Sequence, residues 1–128
     1  MAWTYEQTTG NLTDPTGTVI GSGYSGGNEG KNPEGVNNPA LQGESCIGPI
    51  PQGRWSIGAF FDQVPGKGPV VCHLTPLPGT DTLGRSGFMI HGDTAAHNQG
   101  ASEGCVILSR SLRAAVAANS DKVLEVTP

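Results

Sequence analysis

Glycine and proline punctuate this chain too often for long helices: 20 and 10 of its 128 residues, scattered among short apolar runs without a fixed period. A proline inside a helix removes a hydrogen bond and clashes with the preceding turn, and an interior glycine costs about 1 kcal/mol relative to alanine. Long stretches of helix formers are absent until the last third. Val70-Val71-Cys72-His73-Leu74, Phe88-Met89-Ile90 and Val106-Ile107-Leu108 are instead short apolar runs flanked by proline or glycine, as expected of core strands. The lack of a period excludes collagen-like and low-complexity readings. A mainly β fold follows, with long loops and one C-terminal helix. A chain of 128 residues holds one modest core and not two, so a single domain spanning 1–128 is expected.

Local patterns extend this outline. Trp3 to Thr8 alternates bulky with polar residues and meets a turn at Gly10-Asn11, which predicts a strand and a hairpin arm toward Leu12. Gly17 to Asn38 is dense in Gly, Asn and Ser around Tyr24 and reads as one long functional loop, interrupted only by Val19-Ile20. Arg54 to Phe60 alternates as a half-buried strand after a proline-rich turn, and Val123 to Val126 reads as the last strand. Leu108, Leu112 and Val116 recur at helical spacing behind Ser109, a residue suited to cap the first turn.

Charge and targeting signals narrow the function classes. The net charge is −4 and no run of Lys and Arg is present, so no phosphate-neutralising groove and no nucleic-acid partner is expected. No segment approaches the ~20 apolar residues of a membrane span, and Met-Ala-Trp-Thr-Tyr-Glu lacks the basic start and apolar stretch of a secretory signal. The expectation is a chain made in the cytoplasm without a cleavable signal and not inserted in a membrane. Cys46, Cys72 and Cys105 form no Cys-x-x-Cys pair, so neither a structural zinc nor any cofactor is called for. An odd count leaves at least one thiol unpaired: all three stay free under reducing conditions, and Cys46 can pair with Cys72 under oxidising ones, sparing Cys105.

The chemistry concentrates between Gly84 and Arg110. His91 closes an apolar run and precedes Gly92, so its ring emerges at a strand end, and Cys105 stands between Gly104 and the next apolar run. If the two strands are neighbours, imidazole and thiol meet. A thiol of ordinary pKa is only a few per cent thiolate at neutral pH, and an adjacent imidazole accepts its proton or stabilises the anion. Cys105 is thus the candidate nucleophile and His91 its base. Gly104 clears the approach, so that amides of Glu103, Gly104 and Cys105 can face a developing oxyanion. Ser102 can brace the turn, and Asp93 can orient a histidine or hold its loop. The competing reading, a core cysteine and a structural histidine, fits either residue alone better than it fits the combination. Tyr24 is a candidate for the substrate groove and Arg85 for a substrate carboxylate, which a guanidinium grips through both oxygens. His73 reads as structural and His97 as a distant second choice of base.

In His91-Gly92 and Ser102-Glu103-Gly104-Cys105-Val106 the chain resembles the L,D-transpeptidase (YkuD-like) catalytic family. Gly23-Tyr24-Ser25-Gly26, Asn37-Asn38-Pro39, Gly48 to Gly53 and Gly84-Arg85-Ser86-Gly87-Phe88 look like its subfamily of effectors delivered by type VI secretion, so the resemblance covers most of the chain. It implies an L,D-transpeptidase-like β-sandwich, a Cys acyl-enzyme, and action on the tetrapeptide stem of peptidoglycan between its diamino acid and terminal D-alanine. With water as acceptor the outcome is L,D-carboxypeptidase cleavage; with an amine it is crosslinking or exchange. It further implies secretion into a target-cell periplasm and a cognate immunity protein. The chain departs from the family where Glu103 stands in place of a frequent His and Ile107 in place of a frequent Arg or Asn, which leaves Glu103 on the substrate side and Arg85 or Arg110 to supply the missing charge.

Overall fold

The structure is a computed structural model that describes residues 2–28, 30–62, 70–92 and 104–128. Alternation at the N-terminus does what the sequence predicts: β1 (Trp3–Glu6) buries Trp3 and Tyr5, and β2 (Asn11–Thr13) folds back on it antiparallel with Leu12 opposite Tyr5. The strand ends at Glu6, two residues early. Gln7 is drawn into the interior instead, where its side-chain amide donates to Ile50 O at 2.8 Å and accepts from Gln52 at 3.0 Å. The remaining strands are β3 (Val19–Ser22), β4 (Tyr24–Ser25), β5 (Gly53–Ile57), β6 (Cys72–Pro76), β7 (Met89–His91), β8 (Val106–Ile107) and β9 (Val123–Thr127). Helix α1 (Arg110–Ala118) starts at Ser109, whose hydroxyl accepts from Leu112 N.

Among the described residues these strands form one nine-stranded sheet in the order β3-β2-β1-β9-β5-β6-β7-β8-β4. β3 and β4 lie at its opposite edges, yet only Gly23 separates them in the chain. The sheet therefore curls until its edges nearly meet, and its inner face wraps one core. Trp3, Tyr5, Trp55, Leu124 and Val126 from one half pack with Cys72, Ile90 and Val106 from the other, and Val116 of α1 closes the cluster. The mainly β architecture with one C-terminal helix is as expected. No helix among the described residues is long and apolar enough to cross a membrane.

The expected long loop from Gly17 to Asn38 is a correction, because two of the nine strands lie within it. The glycines that suggest turns serve close packing: a Cβ on Gly23 would strike Ile107 O, and one on Gly21 would press into Leu112. Asn37, at φ +50°, ties the segment down by accepting from the Tyr5 hydroxyl at 2.6 Å and from Ser25 N at 2.9 Å. The strand expected from Arg54 to Phe60 stops at Ile57, and Phe61 instead bridges Val71.

Candidate active site

β7 and β8 are parallel neighbours, with Ile90 opposite Val106 and His91 opposite Ile107. Ile90 and Val106 belong to the core, so alternation puts Met89, His91 and Ile107 on the other face. Cys105 directly precedes β8 in a bend, so the parallel pairing brings its segment beside that of His91. β4 adds to the same face, because Tyr24 pairs directly with Ile107.

His91 is 1% exposed, and its Nδ1 lies 2.8 Å from Gly92 O. A carbonyl oxygen only accepts, so Nδ1 carries the hydrogen and Nε2 holds the lone pair of the neutral ring. That tautomer is the one a base acting through Nε2 requires. Cys105 is half-buried, with Sγ 3.8 Å from Gly87 O.

The turn before the thiol is built from three sides. Gly104 has φ +128°, a conformation that disfavours any side chain. Its carbonyl accepts from Ser25 Oγ at 3.0 Å, and that hydroxyl accepts in turn from Ile50 N at 2.9 Å. Because a trans peptide directs its C=O and N–H to opposite sides, this bond turns the Cys105 N–H away from Ser25. Against the other side of Gly104 lies Arg85, whose Nη2 a Cβ there would strike. Sequence reasoning assigned the bracing of this turn to Ser102 and missed Ser25, whose only signal was its place in Gly23-Tyr24-Ser25-Gly26.

Arg85 sits where the sequence did not lead one to look. It is 6% exposed; Nη1 donates to Gln42 O at 2.6 Å and Pro49 O at 2.7 Å, Nη2 to Gly48 O at 3.1 Å, and the guanidinium lies 5.2 Å above the Phe88 ring. Burial lowers its pKa from the ordinary value, and the Cys46 and Cys105 thiols, as anions, oppose that shift. These contacts set the guanidinium against the turn that precedes Cys105. Arg110 stands exposed at the start of α1.

A second buried guanidinium, also missed, backs the histidine. Arg113 of α1 donates from Nη1 to Leu108 O at 2.6 Å and from Nε to Val70 O at 3.1 Å, and Nη1 lies only 2.6 Å from where a Cβ on Gly92 would be. Tyr24 is not a loop residue but a buried member of β4, paired with Ile107 on the face of His91. His73 is exposed on β6 and stacks on Phe61 with ring centres 5.5 Å apart. Asp93, His97, Ser102 and Glu103 lie outside the described residues. Cys46 and Cys72 are not bonded to each other: Cys46 is exposed, and Cys72 is buried in the core, where desolvation pushes its thiol up to about 12.

Comparisons of the chain with protein-family models, with curated proteins and with solved structures returned no match.

Proposed function

We propose that this chain is a cysteine-dependent L,D-carboxypeptidase or L,D-transpeptidase acting on the tetrapeptide stem of peptidoglycan. The observation that supports the reading is the register of β7 and β8, which sets the segment of Cys105 beside that of His91, together with the His91 tautomer that Gly92 O favours. In the reaction, Nε2 of His91 takes the Cys105 proton and the thiolate attacks the carbonyl of the diamino acid. The developing oxyanion is met by the Cys105 N–H. As the C–N bond breaks, the imidazolium returns its proton to the departing D-alanine amine, leaving a thioester on Cys105. Water or an acceptor amine then attacks the thioester, His91 again takes the proton, and the thiol is regenerated.

On the same reading the protein is an antibacterial effector delivered by type VI secretion into a competitor's periplasm, with a cognate immunity protein guarding the producer. Incubation with tetrapeptide muropeptides followed by mass spectrometry tests the chemistry. The expected outcome is loss of the terminal D-alanine, or its exchange for an added amine, abolished by Cys105→Ala at an unchanged circular dichroism spectrum. Binding without any mass change would instead identify a non-catalytic peptidoglycan-binding or inhibitory module. Toxicity only when the chain is expressed with a fused signal peptide, and only with Cys105 intact, is the outcome expected of the effector role.

A further inference from the structure

Arg85 joins the core to the nucleophile turn through a continuous set of contacts. Trp55, wholly buried, meets Phe88 edge to face at 4.9 Å and 68°; Phe88 carries the Arg85 guanidinium on its ring, and that guanidinium abuts Gly104, the residue before Cys105. Three carbonyls from residues 42, 48 and 49 hold the plane in place. A buried cation held by neutral carbonyls and an aromatic face keeps its charge while shedding most of its water, so its field on a nearby anion is weakly screened. Two thiols lie within reach of that charge, the exposed Cys46 and the half-buried Cys105 beside the turn.

We propose that Arg85 is a positioning residue of the candidate site: its guanidinium props the Gly104 turn from beneath, and its charge favours the thiolate of Cys105 independently of His91. The inference rests on the reading of Cys105 as the nucleophile, and it explains why the turn needs glycine at 104. A side chain there would displace the very group that stabilises the anion. The Cys46 and Cys105 thiols both register in the electrostatics of Arg85, and Cys46 is the exposed one. Among the described residues, the other ionisable groups on the elements packed around Cys105 are His91 of β7, Tyr24 of β4, Cys72 and His73 of β6, and Arg110 and, behind Gly92, Arg113 of α1. Of these, Arg113 stands behind the histidine, and His91 is the one whose contribution must be separated from that of Arg85.

The test follows the rate of Cys105 alkylation by iodoacetamide against pH, read by intact mass in a Cys46→Ser background that removes the exposed competing thiol. No peptidoglycan enters the assay, so its outcome stands apart from whether muropeptides are processed. The midpoint for Cys105 is expected below the ordinary thiol value of about 8.5. It should remain below that value when His91→Ala is added, because the guanidinium is still present; a midpoint at or above about 8.5 in that variant would overturn the proposal without touching Arg85. Arg85→Gln is expected to raise the midpoint by about one pH unit, which slows alkylation about tenfold at a fixed pH below it. Arg85→Lys, which keeps the charge and loses the planar fork, should hold the midpoint near that of the parent. A folded Arg85→Gln protein with an unmoved midpoint, or Lys and Gln variants that move it equally, would reduce Arg85 to a structural strut.

Discussion

Three thiols meet three environments in this molecule, and burial decides the chemistry of each. Cys72 points into the core from β6, and desolvation there disfavours the thiolate. Its pKa is higher folded than unfolded, so the stability it contributes is fully present below about pH 9 and is lost as the pH climbs toward about 12. The difference amounts to at most about 4 kcal/mol. Tyr5, also raised by burial, adds to the alkaline loss above its ordinary 10.0. Urea melts at pH 8 to 11 should therefore show stability falling less steeply for Cys72→Ala than for the parent, and native alkylation at pH 8 should mark Cys46 and Cys105 while sparing Cys72. Gly104 offers a second test at this scale. Gly104→Ala combines a positive φ with a collision against Arg85, so a loss of about 1–3 kcal/mol in a urea melt is expected, together with severalfold slower labelling of Cys105. The candidate pair, His91 and Cys105, was singled out in the sequence by the residues beside each. Ser25 and Arg113 were not, because a serine in a glycine-rich stretch and an arginine on a helix carry no local sign of what they will touch.

At the level of elements, α1 does more than cover the core. Its periodicity and its Ser109 cap are plain in the sequence, and Leu112 and Val116 meet the interior as the spacing requires. The same helix carries Arg113 inward to the end of β8 and to Val70, so that the element behind His91 is tied to the strands on both sides. Arg113→Met preserves much of the side-chain volume and strips the donors from two carbonyls. A cost of about 1–3 kcal/mol for each acceptor left buried without a partner is expected, measured as a shift in the denaturant midpoint at constant slope. β3 and β4 are the elements that the sequence conceals. Their short length and their glycines imitate a loop, and only the approach of Ile107 O to Gly23 and of Leu112 to Gly21 reveals why glycine stands there.

Across the whole molecule, the sheet depends on a strand from the far end of the chain. β9 lies between β1 and β5, parallel to one and antiparallel to the other, and forms four residue pairs with each. Leu124 and Val126 send their side chains into the core at 1% and 4% exposure. Deleting residues 123–128 removes a central strand, and the expected result is loss of the cooperative thermal transition. Leu124→Ala is the graded version, with an expected cost of about 2–5 kcal/mol. Either protein melting like the parent would contradict this account of the core.

The sequence by itself determined that the chain is mainly β, where its helix begins, and which thiol and imidazole stand beside glycine at strand ends. These are local properties, set by alternation, capping and the conformational reach of glycine and proline within a few residues. Tertiary structure alone decided that β7 and β8 run parallel as neighbours, that the sheet curls to bring β3 and β4 together across Gly23, and that Arg85 is spent on three carbonyls beneath Gly104. Each of these joins residues far apart in the chain, where no local preference specifies the partner. Register and burial select it, and the same selection makes one arginine a support of the candidate site and leaves another, Arg110, in solvent.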